Sequence, residues 1–262
     1  MPAFQLSKWY ADCVGDHGDA VILYHAQLRI GKLPIHYGSL LIKEHSAPPR
    51  ALYSLRRHPA PIAGDHCIEW HSPHWKTRAS WRRLGPSHRE VLFESDAGAL
   101  RWNCIAPRCA ASVHFGSEKS LHGWGYAEYL ELSLAPWRLP IRRLRWGRFV
   151  NATDSLVWID WSGPYTKRTA YFNGATASPG HISDREVVLQ APCASLQLED
   201  SHILRDGLLG ETALSVIPRL GDLFPDSIFN VRECKWTSRA VLRRPGFPDS
   251  LGTAIHEVVE WP

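Results

Sequence analysis

Lys8-Trp9-Tyr10-Ala11-Asp12-Cys13-Val14, the polar run Asp16-His17-Gly18-Asp19, and then Ala20-Val21-Ile22-Leu23-Tyr24-His25-Ala26-Gln27-Leu28-Arg29-Ile30 decide the fold class of this chain. Two runs rich in β-branched and aromatic residues flank a polar turn that contains glycine, which is the pattern of a β-hairpin. The same rhythm continues through residues 36–43, 51–57, 67–72, 76–84, 90–95, 99–106 and 110–116, and very little repeats at helical spacing. About eight strands therefore precede residue 118, at the close spacing of a sandwich or barrel.

The hairpin has a loose echo. Val157-Trp158-Ile159-Asp160-Trp161 is another aromatic, acid-bearing strand, and Ser162-Gly163-Pro164 turns it into the apolar run that begins at Tyr165. The echo predicts that the second half repeats the architecture of the first. Further strands are expected at 155–161, 165–173, 181–189, 195–205, 214–220, 232–242 and 252–261, with helical turns only near 221–228 and around His181. Residues 121–150 pack Trp124, Tyr126, Tyr129, Trp137 and Trp146 around Pro136 and Pro140, and read as a crossover between two sheets. The expected division is a barrel-like unit at 1–120, then the crossover and a second barrel-like unit at 121–262.

Composition excludes several classes. Of 262 residues 44% are apolar and 21% charged, with twelve tryptophans, so a packed core is expected and disorder is not. A net charge of +4, with bases interleaved among acids, lacks the clustered stripe of a nucleic-acid-binding protein. The densest basic cluster, Arg142, Arg143, Arg145 and Arg148, reads as a solvated strand face. The N-terminus shows no charged leader followed by an apolar segment, and no run of eighteen apolar residues occurs, so a cytoplasmic protein without a membrane span is expected.

Six scattered cysteines read as small hydrophobes in a reducing compartment. Cys104 and Cys109 lack a second CxxC or a matched histidine pair. His66, His71 and His74 lie near Glu69 but do not share one strand face, and Pro73 interrupts them, so no metal is expected. There is no GxGxxG opening a helix, no GxxxxGK[ST], no GxSxG and no HExxH, and no cofactor is expected.

Chemistry concentrates in Gly123-Trp124-Gly125-Tyr126-Ala127-Glu128-Tyr129-Leu130-Glu131-Leu132. On an extended strand Tyr126 and Glu128 share one face while Tyr129 and Glu131 share the other, so each face carries a tyrosine and an acid. A glutamate facing an apolar cavity would be held protonated by desolvation, as a general acid requires, and its neighbouring tyrosine could orient it. The alternative is that Glu128 and Glu131 pair with Arg138, Arg142, Arg143, Arg145 or Arg148. Asp160 is the next acid to consider, either for proton transfer or as an ordinary salt-bridged strand residue. Trp102, His114, Trp124, Tyr129, Trp146, Trp158 and Trp161 are the expected ligand-binding side chains.

The run Gly123 to Leu132, with Leu144-Arg145-Trp146-Gly147-Arg148-Phe149 and Val157 to Trp161, resembles the carotenoid 1,2-hydratase (hydroxyneurosporene synthase) and AttH-like family. That family is related in turn to tocopherol cyclases and lipocalin-like pericyclic cyclases. The resemblance implies two consecutive lipocalin-like barrels of the calycin type. It also implies an acid-assisted hydration, isomerisation or cyclisation of an isoprenoid- or polyketide-like molecule. In the hydratases the glycine-tyrosine run continues into a stretch rich in His-Asp-His, whereas this chain has Ala127-Glu128-Tyr129-Leu130-Glu131. The acid remains at Glu128 and the flanking histidines do not.

Three functions follow as expectations: a cofactor-independent enzyme using Glu128 and Tyr126, a non-catalytic lipocalin-like carrier of an apolar ligand, or a scaffold that offers exposed tryptophans to a protein partner. The sequence does not fix the oligomeric state.

Overall fold

The computed structural model describes residues 4–116, 119–216 and 224–262. The chain is almost wholly β-stranded and forms two compact units, residues 1–139 and 140–262. The division falls later than the expected 120/121 because residues 121–132 are not a crossover. They belong to a strand of the first unit, held by ladders on both sides.

The first unit contains β1 (Phe4–Val14), β2 (Ala20–Ile30), β3 (Leu33–Lys43), β4 (Arg50–Ser54), β5 (Ile62–Ala63), β6 (Cys67–Ser72), β7 (Thr77–Arg83), β8 (His88–Ser95), β9 (Gly98–Phe115) and β10 (Lys119–Leu132). Its sheet order is β4-β3-β2-β1-β10-β9-β7-β6-β5, with β8 also on β9. The opening hairpin forms as read, in register from Val14 opposite Ala20 to Phe4 opposite Ile30, and Gly18 supplies the positive φ of its turn. Leu40 and Ile42 of β3 share one core cluster with Ile68 and Trp70 of β6, far away in sheet order, so the sheet rolls around its own interior. The gap in the hydrogen-bonded path falls between β4 and β5.

Two expected strands, 99–106 and 110–116, are one long strand. Pro107 does not break it, because β9 changes partner there: Cys104 is opposite His88 of β8, and Cys109 is opposite Arg83 of β7. A residue without an N–H is tolerated where one ladder ends and another begins.

A short 3₁₀ turn, Pro136–Arg138, leads to the second unit. There β11 (Arg143–Val150), β12 (Ser155–Ser162), β13 (Lys167–Phe172), β14 (Ala175–Ile182), β15 (Glu186–Ala191), β16 (Ala194–Leu208), β17 (Arg232–Arg243) and β18 (Ser250–Glu260) close into a barrel, with β11 paired to β18. Phe149, Leu156, Trp158, Leu196 and Leu242 belong to its interior cluster.

The expected strand 181–189 is two strands. His181 lies within β14, next to its last residue, instead of in a helical turn, and Ser183 makes the turn by accepting the Glu186 N–H on its hydroxyl. Of the expected strand 214–220, residues 214–216 lie in a turn and 217–220 lie outside the described residues. The helix expected near 221–228 is α1 (Asp226–Phe229), and 221–223 also lie outside them.

In both units the first strand pairs with the last, β1 with β10 and β11 with β18. The echoed segment Val157 to Trp161 is nonetheless the second strand of its unit, so the sequence echo is offset by one strand from the structural one. All six cysteines are free. Among the described residues no helix is long and apolar enough to cross a membrane.

Candidate functional site

Two tripeptides of the same pattern lie side by side. Tyr10-Ala11-Asp12 of β1 runs antiparallel to Tyr126-Ala127-Glu128 of β10, with Tyr10 opposite Glu128, Ala11 opposite Ala127 and Asp12 opposite Tyr126. Successive side chains point to opposite faces, so both alanines enter the core cluster while both tyrosine-acid pairs stand on the other face of the sheet. All four of these polar residues are buried, Glu128 being the most exposed at 5%.

Each tyrosine serves its own acid. The Tyr126 hydroxyl donates to Glu128 Oε2 at 2.7 Å, and the Tyr10 hydroxyl donates to Asp12 Oδ2 at 3.1 Å. Trp102 Nε1–H donates to the same Glu128 Oε2 at 2.6 Å. Two donors thus converge on one oxygen of Glu128, and among the described residues Oε1 accepts no hydrogen bond. The Asp12 backbone is fixed as well, because Trp81 Nε1–H donates to its carbonyl at 2.7 Å.

Aromatic rings surround the acids. Tyr10 and Tyr126 meet with ring centroids 5.9 Å apart, and Tyr24 meets Tyr10 at 5.2 Å. Burial pushes the Tyr126 phenol well above its ordinary value, reinforced by Cys104 and Glu128, so it remains a neutral donor around neutral pH. Burial likewise pushes up the Cys104 thiol, which sits opposite Glu128 on β9; a thiol held in that form is a poor nucleophile.

A groove of about 400 Å3 in the first unit is lined in part by Arg101, Asn103, Tyr129 and Glu131, which stand on the sheet face opposite Glu128, with Trp102 at its border. Trp102 both borders the groove and holds Glu128.

The other expected site residues are distributed. Trp124 is half-buried on the Glu128 face, two residues before Tyr126 and four before Glu128 on β10. Tyr129 points to the opposite, core-side face against Trp9, with ring centroids 5.1 Å apart, and its hydroxyl donates to Glu131 at 3.4 Å. His114 is exposed and meets His122.

In the second unit Trp158 fills the barrel core, Trp146 meets Lys235 with the ammonium 5.8 Å from its ring, and Trp161 packs against Tyr165. Asp160 accepts from Arg168 Nε at 2.9 Å and lies 3.9 Å from Arg145, so it takes the salt-bridged alternative. Arg145 also reaches Asp184 at 2.6 Å, Arg143 pairs with Glu260, and Arg148 is fully buried and donates to the Thr253 carbonyl. The arginine run therefore divides: Arg142 and Arg143 are exposed as a solvated face would be, whereas Arg145 is held by acids and Arg148 is buried in the second unit.

Tyr10 and Asp12 escaped sequence reasoning. The signal that could have found them was the recurrence of tyrosine-alanine-acid at 10–12 and 126–128.

No family model matches this sequence, and no curated protein sequence matches it either. Solved structures do match in fold. CghA crystallised with Sch210972 is similar over 99% of this chain and 89% of its own, with a TM-score of 0.58 at 11% identity. Kievitone hydratase from Nectria haematococca is similar over 99% and 89%, with a TM-score of 0.53 at 9% identity. An AttH candidate from Nitrosomonas europaea is similar over 98% and 92%, with a TM-score of 0.50 at 10% identity. At such identities the likeness is one of fold: this chain shares the all-β, lipocalin-like architecture in two units.

Proposed function

We propose that this protein encloses a largely apolar, isoprenoid- or polyketide-like small molecule and catalyses its acid-assisted isomerisation, cyclisation or hydration without a cofactor. Glu128 is the proton donor. The observation that carries this reading is the convergence of Tyr126 and Trp102 on Glu128 Oε2, which leaves Oε1 as the oxygen that carries and delivers the proton.

Protonation of an alkene, epoxide or carbonyl by Glu128 generates a cationic centre, which the electron-rich faces of Tyr10, Tyr126 and Trp102 favour. Asp12, the carboxylate of the mirrored pair, takes a proton from a neighbouring carbon; donation at one position and removal at another amounts to isomerisation. Capture of the cation by an internal double bond gives a ring whose new cation loses a proton to Asp12, and capture by water, whose extra proton passes to Asp12, gives a hydrate. That one fold neighbour was crystallised with a small molecule and another is named a hydratase is in keeping with this chemistry.

The test begins with protein purified from its native host, denatured, and searched for released small molecules by mass spectrometry. Turnover of the recovered molecule by the wild type, lost in Glu128→Gln with binding retained, is the expected result. Turnover unchanged in Glu128→Gln overturns the assignment, and binding without turnover in the wild type makes the protein a carrier.

A further inference from the structure

A second cluster lies on other strands of the first unit. His71 of β6, Arg78 of β7 and His114 of β9 stand directly opposite one another across three strands. Their chain neighbours Trp70, Ala79 and Val113 belong to the core cluster, so the row projects from the other face of the sheet. At the spacing of adjacent strands, about 5 Å, an imidazole flanks the Arg78 guanidinium on each side. Neither Arg78 nor the nearby Lys76 has a carboxylate partner among the described residues.

Two grooves meet at this row. One, of about 810 Å3, is lined by His71, Lys76, Arg78 and His114 together with Pro73 and Gly116, and among the described residues no acid lines it. The other, of about 520 Å3, shares His71, Arg78 and His114 and extends over Pro59, Ala60 and Ile62. Ile62 is 73% exposed, more than any other large hydrophobic side chain described. Glu69 also lines this second groove, one row of residues away from Arg78.

We propose that this face binds an amphipathic organic carboxylate. The carboxylate lies in the larger groove and takes charge-assisted hydrogen bonds from Arg78, with Lys76 and the two imidazoles beside it. The aliphatic body covers Pro59, Ala60 and Ile62, removing from water an apolar patch that is otherwise exposed. Glu69 repels the head from the second groove and so fixes the direction in which the molecule lies. None of these residues takes part in the Glu128 chemistry, so the site stands whether or not that chemistry does.

The probe is decanoate, titrated calorimetrically into the full chain, with decanol and inorganic phosphate as separate titrants. Decanoate should bind more tightly than either. Arg78→Ala should weaken decanoate roughly tenfold or more, the usual consequence of losing a hydrogen bond to a charged group. Ile62→Ser should weaken it several-fold, and Glu128→Gln should leave it unchanged. Circular dichroism checks that each variant is folded, and Arg78 and Ile62 are both exposed, so folding should survive. Decanoate affinity equal in wild type and Arg78→Ala overturns the proposal. Phosphate binding as tightly as decanoate reduces the face to a simple anion patch, decanol binding as tightly reduces it to an apolar one, and either result overturns it.

Discussion

Glu128 owes its geometry to residues scattered along the chain: Tyr126 two positions before it, Trp102 on a neighbouring strand, and Cys104 directly opposite. Replacing the carboxyl by an amide keeps an acceptor oxygen for both donors and removes the transferable proton. Glu128→Gln should therefore slow turnover by roughly 10²–10⁴-fold while ligand affinity stays within a few-fold, read from single-turnover kinetics beside equilibrium binding. A second residue-scale expectation concerns His256, inside the second barrel. Its Nε2 shares a 2.8 Å hydrogen bond with the Ser238 hydroxyl, and its ring stacks on Trp236 with centroids 5.1 Å apart. Burial lowers its pKa from 6.5 to about 4, against a smaller opposing pull from Asp184. The folded protein thus keeps His256 neutral, while the unfolded chain takes up a proton as the pH falls below 6.5. The contribution of His256 to stability should decline as pH drops from about 6.5 to about 4, by about 3 kcal/mol in all, and change no further below that. Urea denaturation across that range should show a shallower decline for His256→Gln than for wild type, and equal slopes would refute the assignment.

At the scale of elements, β10 carries the site, and its glycines explain how. A Cβ placed on Gly123 would run into the Val14 carbonyl, and one on Gly125 into the Asp12 carbonyl, so the two glycines let β1 approach β10 beside both tyrosine-acid pairs. Gly125→Ala should destabilise the first unit by roughly 1–3 kcal/mol through forced backbone movement, seen as a lower denaturation midpoint. The same change should impair turnover, because it displaces Asp12 and Tyr126 together. In sequence this strand resembles a crossover, for a physical reason. Its aromatic residues fall on both faces and prolines follow closely, so it lacks the apolar-polar alternation of a half-buried strand. Both of its faces are largely buried, and that is a property of the sheets around it. The division of 181–189 into two strands was equally hidden, since Ser183 turns the chain through a side-chain hydrogen bond without a glycine or proline at that position.

Across the whole molecule the two units manage their sheet edges differently. The second closes completely and has no free edge, whereas the first leaves β4 and β5 at the ends of its path. Backbone amides of Arg50–Ser54 and Ile62–Ala63 should exchange hydrogen fastest among the strands, and those of β11, β12 and β18 slowest. Exchange of β12 as fast as that of β4 would contradict closure of the second barrel.

The all-β class, the opening hairpin and most strand positions were legible from residues 8–30 onward, because a period of two, turn chemistry and β-branched composition are local properties of the chain. Glu128 and Tyr126 were legible as a pair for the same reason: two residues apart on a strand means one shared face. Trp102 was legible only as an aromatic; its grip on Glu128 depends on the β9–β10 register, 26 residues apart in sequence. The pairing of Tyr10-Ala11-Asp12 with Tyr126-Ala127-Glu128 brings together segments more than a hundred residues apart, and only the ladder between first and last strands decides it. Likewise the fates of Asp160 and the arginine run were set by which acids the closed barrel carried to them. Local periodicity fixed the elements; non-local strand register, which no short stretch of sequence encodes, fixed which side chains meet.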